Sequence, residues 1–156
     1  MLNYLIVFLI SMVPLIELRG AIVYAVGMDL PLLPSYIICI IGNMLPVPFI
    51  YFFARKVLLW GRDKRFIGKF FAFCLEKAEK GGRKLAQKAG RGGLFVALML
   101  FVGIPLPGTG AWTGALAASF LNMGFKSTVA SVSLGVIMAG IIMGVASSLG
   151  FHFLGI

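Results

Sequence analysis

Carboxylates are scarce in this chain: five among 156 residues, against fourteen Lys and Arg. There is one histidine, His152, and there are two cysteines, Cys39 and Cys74. So small a stock of ligating and nucleophilic groups yields no Ser/His/Asp set, no metal-ligand cluster and no Walker A motif. An enzyme, a metal or cofactor and ATP-driven pumping are therefore not expected. The cysteines make no disulfide framework and read as packing residues. Charge of either sign is also rare, at 12% of residues, while 60% are apolar and the mean hydropathy is +1.03. Soluble domains carry about a quarter charged residues, and a water-facing surface cannot be built from so few.

What charge exists is concentrated. Twelve basic and three acidic residues lie between Arg55 and Arg91, which accounts for the whole net charge of +9. The rest of the chain holds Glu17, Arg19, Asp29 and Lys126, which cancel. A basic stretch between two apolar regions fits the preference of Lys/Arg-rich loops for the cytoplasm better than it fits nucleic acid. Within it Ile67, Phe71, Cys74 and Ala78 recur at helical spacing, with Lys69, Glu76, Lys77 and Lys80 between them. That pattern predicts an amphipathic helix, lying either on the membrane with Phe66, Ile67 and Phe70 in lipid, or on the protein's own cytoplasmic face.

The apolar regions are interrupted. Leu2–Val13 supplies roughly 18 Å of helix at ~1.5 Å per residue, short of a core ~30 Å thick. Pro14 then breaks the run, and Glu17, Arg19 and Gly20 follow before a second short piece, Gly20–Met28. Ser35–Phe53 is long enough to span and should kink near Pro46 and Pro48. The N-terminal run lacks a basic n-region and a small-residue cleavage site, so it is expected to stay in the mature protein. The second half repeats the order: Leu94–Gly103, a break at 104–110, Ala111–Met123, then a spanning run at Val129–Leu149. An offset of 90 lays Gly20-Ala21 on Gly110-Ala111.

These pieces predict an all-α integral membrane protein of one domain. Residues 1–55 form the first repeat, 56–92 a basic amphipathic cytoplasmic linker and 93–156 the second repeat. If each pair of short helices is a re-entrant hairpin followed by a spanning helix, the repeats are inverted, a transporter pattern. Four ordinary spans, with prolines inside two of them, are the alternative.

Glu17 and Arg19 are costly in hydrocarbon unless paired or hydrated, at about 2.5–3.5 kcal/mol each on insertion scales. Two readings are open: a polar cavity in which Arg19 holds an anion and Glu17 takes a proton, or a mutual ion pair that steadies the turn. At the second break, Pro105, Pro107, Gly108 and Gly110 exclude regular helix, and Thr109 can cap the helix that follows. That helix start would aim free N–H groups at a phosphate or carboxylate, unless the segment is a plain turn. Trp112 and Thr113 line a pathway, or Trp112 anchors at the interface. Asn43 faces the cavity or a neighbouring helix. Gly135, Gly140 and Gly144 suit close helix packing.

Glu17-Leu18-Arg19-Gly20-Ala21 after a proline, together with 105–114 (PLPGTGAWTG), resembles the small multi-drug export protein family of bacteria and archaea. That family is similar in turn to the DedA (VTT-domain) superfamily, whose plan is two facing re-entrant hairpins, each followed by spanning helices. The resemblance implies movement of polyprenyl-phosphate carriers or other lipids, or drug export. DedA proteins typically bring an arginine to the second tip. Here that tip is uncharged, so a two-arginine phosphate clamp does not carry over.

The leading expectation is a secondary transporter or flippase of an anionic amphiphile such as a lipid phosphate, in a bacterial or archaeal cytoplasmic membrane. Arg19, Asn43, Pro105, Pro107, Gly108, Thr109, Gly110, Trp112 and Thr113 would bind substrate, and Glu17 would couple protons. The alternatives are a proton-coupled multidrug exporter and a non-transporting structural membrane protein. Expected partners are lipid or amphiphile and protons, not nucleic acid; homo-oligomers are left open.

Overall fold

The computed structural model describes residues 2–14, 16–62, 90, 92–106 and 109–154. Seven helices lie in these segments: α1 Leu2–Met12, α2 Glu17–Gly27, α3 Leu32–Met44, α4 Pro46–Arg62, α5 Gly92–Gly103, α6 Ala111–Phe120 and α7 Phe125–Leu154. No strand occurs among the described residues. The amphipathic helix expected around Ile67–Ala78, with its lipid contacts, lies outside them, as do Pro107 and Gly108.

Length separates the helices into two kinds. Leu32–Phe53, which joins α3 to α4, has 22 residues, and Phe125–Gly150 of α7 has 26; both are apolar enough to cross a membrane. The others in the apolar regions are shorter: α1 and α2 have 11 residues each and α6 has 10, which gives about 15–17 Å. Only 28% and 39% of the two long apolar windows are buried in protein, so neither is the core helix of a soluble fold. Their outer faces are continuous apolar stripes at helical spacing: Ile37, Ile41, Leu45 and Phe49 on one, Leu134, Ile141, Val145 and Leu149 on the other. Exposed stripes of that extent make the two helices candidates to cross a membrane.

Local chemistry explains the helix limits. α3 begins at Leu32, three residues before the expected Ser35. Pro34 then falls in the first turn, where a missing N–H breaks no intrahelical bond. Leu45 keeps helical dihedrals (φ −60°, ψ −41°), so the chain runs on into α4. Pro46 and Pro48 nevertheless remove the bonds to the carbonyls of Gly42 and Met44. Three buried hydroxyls find acceptors three or four residues back along the chain: Ser11 donates to Phe8 O at 2.7 Å, Ser35 to Pro31 O at 2.9 Å and Ser131 to Thr128 O at 3.1 Å.

Packing joins the two halves. α1 packs on α2 and α3, while α2 reaches across to α7 and α6 reaches back to α4. Half of the core cluster is small residues and valines at the helix contacts, Ala21, Ala25, Ala111, Ala115, Ala118, Val102, Val132 and Val136, with Leu18, Ile22 and Leu98 among the larger members. Small side chains let helix backbones approach closely where no water drives association. A Cβ on Gly42 of α3 would lie 2.8 Å from Phe8 O of α1, and one on Gly135 of α7 would lie 2.7 Å from Met99 O of α5. Each long helix thus meets the first short helix of its own half through a glycine.

α2 and α6 also end alike. Asp29 (φ 52°) and Asn122 (φ 51°) take the left-handed conformation, which Asp and Asn tolerate better than most residues. Leu30 N–H then bonds Ala25 O at 3.0 Å, and Met123 N–H bonds Ala118 O at 3.1 Å. The two turns are 93 positions apart, as are Gly42 and Gly135 and the starts of α3 and α7. The register of these features is therefore 93, not the 90 suggested by Gly20-Ala21 and Gly110-Ala111.

Candidate functional site

The break between α5 and α6 leaves two helix ends without continuation. α5 stops at Gly103, and Pro105 sits inside a tight turn in which Leu106 N–H donates to Ile104 O at 2.8 Å. Helices end with unpaired carbonyls and begin with unpaired N–H groups, with partial charges of about −0.5 and +0.5 respectively. In an apolar setting both ends need partners. The first half supplies them.

Arg19, in the first turn of α2, spreads its guanidinium over the end of α5. It donates to Val102 O and Ile104 O, both at 3.2 Å, to Thr109 Oγ1 at 3.0 Å, and to Leu106 O. The Thr109 hydroxyl has Ile104 O and Leu106 O as acceptors, each at 2.9 Å. The fork of a guanidinium suits several fixed acceptors at once.

Glu17 does the converse at α6. Its Oε2 accepts from Ala111 N–H at 3.3 Å and its Oε1 from Trp112 N–H at 3.2 Å. α6 has no capping side chain of its own, since Gly110 precedes it, so its cap comes from a residue 94 positions away. Glu17 as a whole is 5% exposed. Two features place it there. Glu17 adopts φ 52°, an uncommon conformation for a residue with a Cβ and one found where a site demands it. At Gly110 any Cβ would overlap the carboxylate; the backbone there is extended, so close approach, not conformation, requires glycine.

Glu17 and Arg19 therefore turn to different helix ends instead of forming the mutual pair. The structure brings Glu17, Arg19, Thr109, Gly110 and the Trp112 backbone together. Pro105 shapes the turn whose carbonyls Arg19 holds. Thr113 bonds Gly110 O at 3.3 Å in the first turn of α6. Asn43 is buried in α3, and its Oδ1 has no hydrogen-bond partner among the described residues; the same is true of Trp112 Nε1. No group of three metal-ligating side chains occurs among the described residues.

The sequence reading did not find the carbonyls of Val102, Ile104 and Leu106, nor Gly110 as the seat of Glu17. One signal was available: a helix stopped by Pro105 leaves carbonyls that need a cation, and Arg19 and Lys126 are the chain's only cations outside its basic segment.

Two apolar cavities flank the centre. One of about 310 Å³ lies between α2, α3 and α7, against Ile22, Leu32, Tyr36, Gly140 and Gly144; another of about 200 Å³ lies between α5 and α6. Neither is lined by Glu17, Arg19 or Thr109. At the far end of α6, Tyr51 of α4 donates its hydroxyl to Met123 O and accepts at its carbonyl from Ser119 Oγ at 3.0 Å.

Residues 17–142 match the family described as "Putative small multi-drug export protein". The chain belongs to that family. The matched region begins at Glu17 and takes in Arg19, the second break and most of α7, so the clasp between the halves lies wholly within it. No curated protein and no solved structure matches the chain.

Proposed function

We propose that this family member is a proton-coupled secondary exporter of small amphiphilic molecules, with Glu17 as the acid that carries the proton. The family description supports export. The observation that carries the coupling is Glu17 itself: a buried residue whose carboxylate is seated on a helix end of the other half. An ionisable residue at such a position in a membrane protein marks a transport or proton path.

In this reading the two halves are inverted repeats. Each short pair, α1–α2 and α5–α6, is a re-entrant hairpin, and the basic linker faces the cytoplasm. The common turns and glycine contacts 93 positions apart support the repeat. The helices too short to span support re-entry. Two facing hairpins also support placing the family near the DedA superfamily, in the cytoplasmic membrane of a bacterium or archaeon.

A second reading, flipping of a lipid phosphate, draws on one observation: the start of α6 already holds an anion, the Glu17 carboxylate. Against it, Arg19 is engaged by four acceptors and offers no open clamp.

Reconstitution tests both. Vesicles holding the protein and an imposed proton gradient should drive movement of a cationic dye such as ethidium, and Glu17→Gln should abolish the coupling. Gradient-independent transfer of a fluorescent polyprenyl phosphate, with no dye movement, would overturn the exporter in favour of the flippase.

A further inference from the structure

The two charged residues of the first break are bound in chemically different ways, and the difference bears on motion. Arg19 is held by three carbonyls and a hydroxyl. None of these titrates, and an arginine keeps its proton throughout the biological range. Glu17 is held by two N–H donors that require an acceptor on each carboxylate oxygen. Protonation turns one of those oxygens into a donor that faces an N–H, and it removes the negative charge from the start of a helix.

We propose that Glu17 is a proton-released latch between the two halves, and that Arg19 is the pivot that stays closed when the latch opens. The inference rests on the exporter reading and names the conformational event that would accompany proton binding. Released from the carboxylate, the start of α6 moves away from α2, while the turn at Ile104–Leu106 remains tied to Arg19. The motion is thus a local rotation about the clasp, not a separation of the halves. The backbone at Glu17 favours it, since a left-handed residue held by its side-chain bonds relaxes when those bonds are lost.

The titration belongs to Glu17. Arg19 is the charged group that faces it. α1 and α3 carry no charged residue, and those of α7 lie near its two ends, at Lys126 and His152. The remaining titratable groups on α1, α2 and α3 are Tyr4, Tyr24, Tyr36 and Cys39, none of them a carboxylate or an imidazole, and α5 and α6 carry none.

The chain's two tryptophans provide the test, because Trp112 supplies one of the two N–H groups in the latch. In a Trp60→Phe background, Trp112 emission and its quenching by acrylamide are followed in phosphatidylcholine vesicles across the acid, neutral and alkaline range. A single-proton transition is expected. Glu17→Gln should hold the acid-side signal at every pH, and Glu17→Asp should keep a transition at a shifted midpoint. Gly110→Ala, which displaces the carboxylate without removing it, should match Glu17→Gln and serves if that variant does not fold. A flat signal in the parent, or a transition that persists in Glu17→Gln, overturns the latch. Dye transport in the same vesicles separates the two ideas. Transport that needs Glu17 without a Trp112 transition removes the latch and leaves the exporter. A Glu17-dependent transition with no compound carried does the reverse.

Discussion

The two breaks in the apolar regions use opposite materials. The first, at 13–16, leads straight into a helix that carries Glu17 and Arg19 in its opening turn. The second, at 104–110, carries no charge and offers the bare ends of two helices. Each would be costly alone: the first as unpaired ions, the second as unpaired backbone. Together they match sign for sign, arginine on carbonyls and carboxylate on N–H groups. The difference teaches that the halves have divided the work of one site. One half keeps the side chains and the other keeps the backbone.

The largest effect should come from taking away the arginine. Arg19→Ala leaves four acceptors without their shared donor and is expected to cost roughly 2–4 kcal/mol, read as a fall in the thermal midpoint in detergent. Arg19→Lys should recover less than half of it, because a point donor cannot serve a fan of carbonyls. If Arg19→Lys behaves as the parent, charge alone closes the clasp and its geometry is irrelevant.

Next is Gly110→Ala, which attacks the same junction from the backbone side. Displacing Glu17 from two N–H groups should cost about 2 kcal/mol. In the double variant Gly110→Ala with Glu17→Ala, the side chain that the Cβ would strike is gone. The glycine substitution should then add almost nothing, and additive losses in that cycle would show that Gly110 serves something other than Glu17.

A third pair sharpens the comparison between halves. Gly42→Ala and Gly135→Ala each push a methyl against a backbone carbonyl and should cost about 1–3 kcal/mol, by similar amounts. Unequal losses beyond about 1 kcal/mol would show that the halves pack by different rules despite their common register. The smallest effect is Tyr51→Phe, which removes one hydroxyl bond to Met123 O and should cost about 1 kcal/mol. A much larger loss would make the far end of α6, not its start, the stronger tie between halves.

Much of this was legible in the letters. Runs of about 20 apolar residues announce spanning helices, Pro14 and Pro105 announce breaks, and two charges in an apolar field announce a site. The legible part stops where the backbone takes over. Nothing in the side chains of Val102, Ile104 or Leu106 says that their carbonyls bind an arginine. Register is hidden in the letters for a related reason. Gly20-Ala21 and Gly110-Ala111 share letters, yet Gly20 approaches Ile16 while Gly110 approaches Glu17. The features that do correspond, Asp29 with Asn122, share a backbone conformation and not an identity.

That Arg19 grips main-chain carbonyls has an evolutionary consequence. A residue that holds a partner's side chain constrains that side chain, and the two positions change together. Arg19 imposes no such bond on positions 102, 104 and 106, which are at liberty to exchange one apolar residue for another. Among descendants of a common ancestor, the hold of Arg19 on those three carbonyls would thus leave almost no trace as paired substitutions. It would surface instead as solitary invariance at 19, and a search for correlated positions would pass over it, finding at most the pairing of Arg19 with Thr109 and of Glu17 with Gly110.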